Sequence, residues 1–300
     1  MNILIAGGSG FIGNYLTKFL IKEGHNITVL TRSPKKVSEE NNILEWNGKT
    51  LGTDQRFDII INLCGKNIAR KRWSKKRKGQ LLASRIDSTK AIVSYIENDP
   101  STVKPRLLNA SAIGYYPSSD QIQTEENPVN SKERSFSREL VSEWESCAQK
   151  ATKYGSQVSC LRFGVVLGRG GGMLAKILPA FKLGLGTVMG NKNAHLSWIH
   201  IEDLCRAIQF IIQTKQPEST YNLTSPSYCT QLSFAKTVAK ACHKPCFLYL
   251  SEFFIENIFG KMGKELLLVD QKIFPKNLEN AGFKFNYKKI KHAISNILQK

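Results

Sequence analysis

Four glycines lie close together near the start of the chain, between a short apolar run and a stretch with helical character. They fit both a Gly-x-Gly-x-x-Gly pattern at 8–13 and a Gly-x-x-Gly-x-x-Gly pattern at 7–13. Such glycines permit a sharp turn, let the backbone approach a pyrophosphate, and allow the following helix to pack close to the sheet. The free N–H groups at the start of that helix would bind the phosphates. This strand, loop and helix order is the context of a dinucleotide-binding motif, and its candidate residues are Gly7, Gly8, Ser9, Gly10, Phe11, Ile12 and Gly13.

A second group of polar residues follows the next apolar run, at 27–30. Folds that select NAD place an acidic residue at this point to bind the ribose 2′-hydroxyl. Here the run leads into Thr31, Arg32 and Ser33, and two lysines follow at 35–36. A guanidinium can form two hydrogen bonds with a 2′-phosphate, and a serine hydroxyl can donate another. The sequence therefore favours NADP over NAD as the cofactor.

The elements that must position these residues alternate along the first half of the chain. Apolar runs predict strands at 3–6, 27–30, 43–46, 58–65, 106–111 and 158–163, and helical periodicity predicts helices at 14–23, from about 74, and at 138–153. Such alternation predicts an α/β fold, a doubly wound parallel sheet of the Rossmann type. Ligands of such sheets lie outside the carboxyl ends of the strands. The end of the fourth strand should therefore reach the cofactor through Leu63, Cys64 and Gly65.

Beyond residue 164 the alternation stops. A glycine-rich loop at 168–172 precedes a predicted helix, and a strand–helix pair and a further short strand follow. The predicted elements of this half are helices at 174–183, 202–212, 232–242, 252–261 and 287–298 and strands at 197–201 and 221–224. This second half of the chain therefore differs in organisation from the first.

Composition limits the function classes. The chain has 300 residues and a net charge of +19, which predicts attraction to phosphates and polyanions. A basic run at 70–78 could contact nucleic acid, but no recognised nucleic-acid module accompanies it, so nucleic acid is not the favoured partner. No apolar run approaches the ~18 residues of a membrane span, and neither a membrane partner nor a signal peptide is predicted.

The cysteines give a further indication. Seven are scattered mostly through apolar segments, and none forms a Cys-x-x-Cys pair. An odd number without metal-ligand spacing predicts reduced structural thiols, no metal site and a cytoplasmic location.

Several longer motifs resemble a known family. The chain is similar to extended short-chain dehydrogenase/reductases of the NAD(P)-dependent epimerase/dehydratase superfamily, and in particular to an atypical branch, the epimerase family proteins. The similar stretches cover essentially the whole chain and lie at 72–73, 84–86, 110–116, 161–168, 197–203 and 275–285.

This resemblance implies that the chain is divided into a cofactor-binding domain and a substrate-binding domain. Residues 1–165 would form the NADP-binding domain, with 195–225 returning to it, and 166–194 and 226–300 would form a smaller α+β substrate-binding domain. The Ser-Arg-Ile motif implies that Ser84 and Arg85 contact the cofactor. Homodimers are common in the superfamily, so a homodimer is an expectation here.

The catalytic pattern of the superfamily is not retained. It consists of a serine with a tyrosine and a lysine in Tyr-x-x-x-Lys, and the equivalent positions here are Phe136 and Leu140. Neither side chain can move a proton. Ser111, at the end of the fifth strand, is the remaining member, and Tyr115 or Tyr116, just beyond it, could take over as the proton donor.

Further residues are candidates for contacts with a small, anionic substrate. Lys66 and Arg70 follow the fourth strand, and Arg162 lies near the end of the sixth, where its alternative role is a salt bridge within the fold. Trp198 and His200 belong to a strand that the resemblance places beside the site. For His200, a structural hydrogen bond is favoured over acid–base chemistry.

Two principal hypotheses for the function follow. The first is an NADP-dependent oxidoreductase or epimerase acting on a small carbonyl or sugar-type substrate. The second is a regulatory protein that binds NADPH without turning it over, a possibility that the missing tyrosine and lysine raise. Charge alone supports a third, polyanion binding.

Overall fold

A computed structural model describes residues 1–34, 42–127 and 135–299 of the chain. The two lysines at 35–36, predicted to follow the 2′-phosphate site, lie outside the described residues. The strands are, in chain order, β1 (Asn2–Ala6), β2 (Asn26–Thr31), β3 (Asn42–Glu45), β4 (Ile59–Asn62), β5 (Arg106–Ala112), β6 (Ser119–Gln123), β7 (Val158–Phe163), β8 (Val165–Leu167), β9 (Thr187–Met189), β10 (His195–Leu196), β11 (Trp198–His200), β12 (Thr220–Leu223), β13 (Cys229–Thr230), β14 (Leu248–Leu250) and β15 (Gln271–Ile273).

Helices occupy most of the intervening chain. They are α1 (Phe11–Lys22), α2 (Lys75–Asn98), α3 (Phe136–Gln149), α4 (Gly172–Lys182), α5 (Ile201–Gln213), α6 (Gln231–Ala241), α7 (Glu252–Phe259), α8 (Lys261–Leu267), α9 (Lys276–Asn280) and α10 (Ile290–Gln299), with 3-10 turns at Ile113–Tyr115 and Lys150–Tyr154.

The central sheet confirms the predicted fold class. Within the described residues it has seven strands, all parallel, in the order β12-β7-β5-β4-β1-β2-β3. The inner strands are apolar on both faces because helices cover both sides of the sheet. Ile3, Leu4 and Ile5 of β1, for example, are fully buried. The chain order reverses between β1 and β4, which opens a crevice at their carboxyl ends, where such sheets bind ligands.

Three apolar clusters stabilise this arrangement. Two lie on opposite faces of the sheet, because alternate residues of each strand point to opposite sides. The third lies away from the sheet and contains Trp198, Phe234 and Ile294. It joins α4 and α6 to α10, so the second half of the chain has a core of its own.

Most predicted elements are present, with shifted bounds. The first helix begins at Phe11 instead of residue 14, so it starts directly after the glycine loop. The single helix predicted at 252–261 is two helices, because Gly260 between them has φ +58°. The last helix begins at Ile290. The short strands β6 and β15, which pair with each other, were not predicted.

The described residues contain neither a membrane-spanning helix nor a cluster of metal ligands. None of the helices there is both long and apolar enough to cross a bilayer. No group of three or more histidine, cysteine, aspartate or glutamate side chains among those residues could hold a metal ion.

Candidate functional site

A cleft of about 450 Å³ lies at the carboxyl ends of β1, β2 and β4. Its walls are the glycine loop, the residues that follow β2 and β4, and one face of α2. The cleft is lined by Gly7, Ser9, Gly10, Leu30, Thr31, Arg32, Ser33, Trp46, Asn47, Gly48, Lys49, Leu63, Cys64, Gly65, Lys66, Gln80, Ala83, Ser84, Asp87 and Ser88.

The glycine loop leaves no room for side chains. Gly7 has φ +83°, and its N–H donates to the carbonyl of Leu30, which ties the loop to β2. A Cβ on Gly13 would lie 2.5 Å from the Cα of Gly8 and 2.6 Å from the carbonyl oxygens of Gly7 and Gly8. A Cβ on Gly8 would lie 2.7 Å from Val29. The backbone therefore approaches as closely as a pyrophosphate-binding loop requires.

The start of α1 is suited to an anion. Gly10 is the N-cap residue, and no side chain caps the helix. The first turn of the helix therefore presents N–H groups and the positive end of the helix dipole without a carboxylate of its own. These features fit a dinucleotide pyrophosphate at this place.

The end of β2 forms one wall of the cleft. The Ser9 and Thr31 hydroxyls are 3.1 Å apart, and the N–H of Ser33 donates to the Thr31 hydroxyl. The Arg32 side chain lies across Gly48, where a Cβ would be 3.3 Å from its Cδ. Arg32, Ser33 and Lys49 therefore line the same end of the cleft.

Sequence reasoning missed the loop after β3, which supplies Trp46, Asn47, Gly48 and Lys49 to this wall. The Asn47 carboxamide accepts from the N–H groups of Lys49 and Thr50, and Gly48 has φ +83°. The Asn-Gly pair was an available turn signal. It was not connected to the site, because the contact depends on how β3 lies beside β2.

The end of β4 forms the opposite wall. The N–H of Cys64 donates to the Asn62 carboxamide, and the backbone N–H of Lys66 donates to the Ser84 hydroxyl of α2. Burial raises the pKa of the Cys64 thiol to about 12, against the opposing influence of Arg32 and a hydrogen bond with Ser88. This thiol is therefore neutral in the working pH range.

Arg85 lies just outside this wall, beside a second cavity. It donates to the carbonyls of Lys66 and Leu81, and its guanidinium lies 5.0 Å from the ring centroid of Trp144. Burial lowers the pKa of Arg85 to about 10, and the nearby Arg77 adds to this effect. No salt bridge joins Arg85 to a carboxylate within the described residues. A half-buried cation without an anionic partner among the described residues suits an anionic or polar ligand.

The second cavity, of about 250 Å³, lies at the carboxyl ends of β5 and β7. Its walls are mainly apolar, and they include Leu140 at the position of the family lysine. The cavity is lined by Ile68, Arg85, Ala112, Ile113, Gly114, Ser137, Leu140, Val141, Trp144, Phe163, Gly164, Val165, His195, Leu196, Ser197, Gln231, Glu265, Leu266, Val269 and Gln271. A third cavity of about 190 Å³ shares the wall formed by Gly114, Ser137, Glu265, Val269 and Gln271.

The structure brings the predicted catalytic residues together, but in an internal network. The Ser111 hydroxyl donates to the Glu145 carboxylate, and the Tyr116 hydroxyl lies between Asn222 and Arg162, 2.9 Å from each. Burial raises the pKa of Tyr116. Both hydroxyls are thus engaged within the fold, and neither Ser111 nor Tyr116 lines the 250 Å³ cavity. Tyr116 lines the 190 Å³ cavity instead, and the role of these residues as proton donors stays a prediction.

The predicted substrate anchor Arg162 belongs to the same network. Its guanidinium forms two hydrogen bonds with Glu145 and lies 3.5 Å from the ring centroid of Tyr115. Burial alone would lower the pKa of Arg162, but Glu145 raises it above its ordinary value. Arg162 and Tyr115 therefore belong to a network within the fold, and neither lines the cleft or the two cavities.

The other predicted substrate residues are also placed away from the 250 Å³ cavity. Lys66 lines the 450 Å³ cleft, and Arg70 is exposed. Trp198 is fully buried in the third apolar cluster. His200 accepts a hydrogen bond from the N–H of Glu202 at the start of α5 and stacks on Tyr287, 3.8 Å between ring centroids. The favoured structural role of His200 fits this geometry.

Phe136 occupies the position at which the family carries its tyrosine. Its ring packs edge-on against Trp73, 5.0 Å between centroids, with the Lys78 ammonium 4.7 Å from its centroid. Phe136 is not among the residues that line either cavity. The next residue, Ser137, does line the cavity, and so do His195 and Glu265, none of which sequence reasoning singled out.

Comparison with known proteins agrees with this geometry. Residues 3–224 match the model of the NAD dependent epimerase/dehydratase family, and residues 250–297 match a domain of unknown function, DUF1731. The chain is 35% identical to the epimerase family protein Mb2239 of Mycobacterium bovis over 97% of this chain and 96% of that protein. It is 32% identical to the epimerase family protein YfhF of Bacillus subtilis over 99% and 98%.

A solved structure shows the same architecture. The human epimerase family protein SDR39U1 (isoform 2), crystallised with NADPH, superposes with a TM-score of 0.90 at 28% identity, over the full length of both chains.

Proposed function

The chain belongs to the NAD dependent epimerase/dehydratase family, and on that premise we propose that it binds NADP(H) and acts as an oxidoreductase or epimerase on a small carbonyl or sugar-type substrate. The glycine loop and the uncapped start of α1 supply the pyrophosphate site. The adjoining cavity at the ends of β5 and β7 supplies room for a substrate next to the cofactor.

The observation that carries the preference for NADP is the residue set at the end of β2. Arg32, Ser33 and Lys49 line that end of the cleft, and β2 and its described continuation contribute no carboxylate. Two cations and a hydroxyl attract a 2′-phosphate, whereas a ribose 2′-hydroxyl alone would leave both cations without a partner. The NADPH named for the human relative supports the same choice.

Other residues would hold the remainder of the cofactor. The N–H groups after Gly10 would bind the pyrophosphate, and Ser84 and Arg85 would contact the nicotinamide half, since they lie between the cleft and the second cavity. When bound, the cofactor supplies or accepts a hydride at the substrate carbon. The residues of this chain then have to orient the substrate, exclude water and move one proton.

A regulatory NADPH-binding protein is the second candidate, and one observation favours it. Phe136 and Leu140 stand where the family carries its tyrosine and lysine, and the Phe136 ring packs against Trp73 instead of lining the cavity. In that case the cofactor would bind as a ligand, and no substrate would change the nicotinamide absorbance.

Calorimetric titration with NADPH and NADH tests the cofactor assignment. Wild-type protein should bind NADPH more tightly, and Arg32→Ala should weaken NADPH binding by about 10- to 100-fold, as expected for one or two charge-assisted hydrogen bonds. NADH binding should change little. Arg56→Ala, an exposed arginine outside the cleft, is the matched control. Failure of wild type to bind either cofactor would exclude the proposed function.

A substrate screen separates the two candidates. NADPH oxidation with at least one small carbonyl compound supports the enzyme. Tight NADPH binding with constant absorbance across such a panel supports the regulatory protein.

A further inference from the structure

The buried Ser137 hydroxyl at the start of α3 has no hydrogen-bond partner within the described residues, although Ser137 is only 6% exposed. An unsatisfied buried hydroxyl costs about 1–3 kcal/mol. Such a group in a cavity wall is satisfied when a ligand brings an acceptor or donor. Ser137 lines both the 250 Å³ cavity and its 190 Å³ extension.

The hydroxyl is held in place by the C-terminal part of the chain. The backbone N–H of Ser137 donates to the Glu265 carboxylate of α8 at 2.8 Å. Glu265 thereby caps α3 and fixes the first turn on which Ser137 lies. This contact also occupies the carboxylate, so Ser137 presents its hydroxyl, rather than its N–H, to the cavity.

His195 lies in the wall of the same cavity, and its ring is oriented by Asp270. The His195 Nδ1 is 2.9 Å from the Asp270 carboxylate, and the backbone N–H of His195 donates to the same oxygen at 2.8 Å. Asp270 is itself held, because its N–H donates to the Ser118 hydroxyl. A carboxylate at Nδ1 places a proton there, which leaves Nε2 as the ring nitrogen for exchange with a ligand.

Ser137 and His195 offer polar groups, whereas Phe136 and Leu140, at the positions of the family tyrosine and lysine, offer none. We propose that Ser137 and His195 are the substrate-facing polar pair of this site and that the site takes a compact, largely apolar carbonyl compound or the corresponding alcohol. Ser137 Oγ donates a hydrogen bond to the substrate oxygen. His195 Nε2 gives a proton to that oxygen during reduction and takes it back in the reverse direction, while Asp270 retains the proton on Nδ1. This assignment rests on the proposed function.

The size and charge of the cavity decide the substrate class. A volume of about 250 Å³ with walls of Leu140, Val141, Phe163, Val165 and Leu196 suits a small molecule with few polar groups. A nucleotide sugar would have to extend into the 190 Å³ cavity. Three carboxylates and two cations line that extension, so it offers no net positive charge to a diphosphate; they are Glu252, Glu256, Glu265, Arg138 and Lys264.

Binding of an inert carbonyl analogue tests Ser137. NADPH-saturated protein is titrated calorimetrically with isobutyramide and, separately, with UDP-glucose. Wild type should bind isobutyramide and not UDP-glucose, and Ser137→Ala should weaken isobutyramide binding about tenfold, or about 1.4 kcal/mol. Ser146→Ala, an exposed serine on the same helix, should bind as wild type does.

Reduction of isobutyraldehyde tests His195. His195→Gln should keep its isobutyramide affinity but lose about 100-fold or more in NADPH oxidation, since glutamine can form hydrogen bonds but cannot transfer a proton. Each of three results would overturn the inference. His195→Gln could oxidise NADPH as fast as wild type, or Ser137→Ala could bind isobutyramide as tightly as wild type. The third result is that wild type binds UDP-glucose in place of isobutyramide.

The NADPH affinity of each variant is measured first, which separates the two proposals. Absence of NADPH binding by wild type would overturn the proposed function and this inference with it. If wild type binds NADPH normally but shows no isobutyramide binding that depends on Ser137, only this inference is overturned and the proposed function stands.

Discussion

Arg162 and Glu145 form a two-pronged ion pair inside the fold, with Nε–Oε1 and Nη2–Oε2 distances of 2.8 Å each. The side chains are only 6% and 12% exposed. Ser111 donates to the same carboxylate, and Arg162 donates to the Tyr116 hydroxyl. One charge pair thus connects β5, α3 and β7 beneath the cavity, which explains why these polar residues are buried in the centre of the fold.

Breaking this pair from one side should destabilise the protein strongly. Glu145→Gln leaves the Arg162 guanidinium buried without a countercharge, and we expect a loss of about 3–5 kcal/mol in the free energy of unfolding. Urea denaturation measures this loss. The double variant Arg162→Leu/Glu145→Leu should recover part of it, because no unpaired charge stays buried. A single variant as stable as wild type would contradict the ion pair.

Two glycines in helices, Gly13 in α1 and Gly79 in α2, should respond in opposite ways to alanine. Gly13→Ala places a Cβ 2.5 Å from backbone atoms, and we expect a loss of about 1–3 kcal/mol in stability and more than tenfold in NADPH affinity. Gly79→Ala meets open space at an exposed position of α2 and should stabilise by about 0.5–1 kcal/mol with unchanged NADPH affinity. Thermal denaturation and calorimetry measure both. Normal NADPH binding by Gly13→Ala would mean that the loop is not the pyrophosphate site.

The sheet and the glycine loop could be predicted because their signals are local. A strand buried on both faces appears in the sequence as a continuous apolar run, as at 59–61. The glycines of the loop lie within the short stretch 7–13. Each is decided by neighbouring residues, so no tertiary knowledge is required.

The proposed substrate site could not be predicted, because its contacts join distant parts of the chain. His195 and Asp270 are 75 residues apart, and Ser137 and Glu265 are 128 apart. Arg162 illustrates the converse case: its position at the end of a strand suggested a ligand contact, but Glu145, 17 residues earlier, neutralises it from α3. Sequence position shows at which edge of the sheet a side chain lies, but not whether it pairs with another residue of the fold or stays available to a ligand.

Asp203 links the segment that contains Asn286 and Tyr287 to α5. Its carboxylate is 1% exposed, pairs with Arg206 at 2.8 Å, and accepts the backbone N–H groups of Asn286 and Tyr287. Asp203→Asn replaces an acceptor with an amide N–H group facing these donors, and we expect a loss of about 2–4 kcal/mol. Hydrogen exchange should rise most in 286–299. Exposed Asp120→Asn is the control and should change neither quantity.

Cys64 should be the slow thiol of the cofactor cleft. A pKa of about 12 leaves about one thiolate in 10⁴ at pH 8, whereas an ordinary thiol is about one-quarter ionised at that pH. Because the thiolate is the reactive form, alkylation by iodoacetamide should be slower by on the order of 10³-fold, and rise about tenfold per pH unit between pH 8 and pH 10. Mass spectrometry of a timed reaction measures the labelled fraction, and protein unfolded in guanidinium, where Cys64 should react at the ordinary rate, is the control. Rapid labelling of native Cys64 at pH 8 would contradict the raised pKa of this thiol.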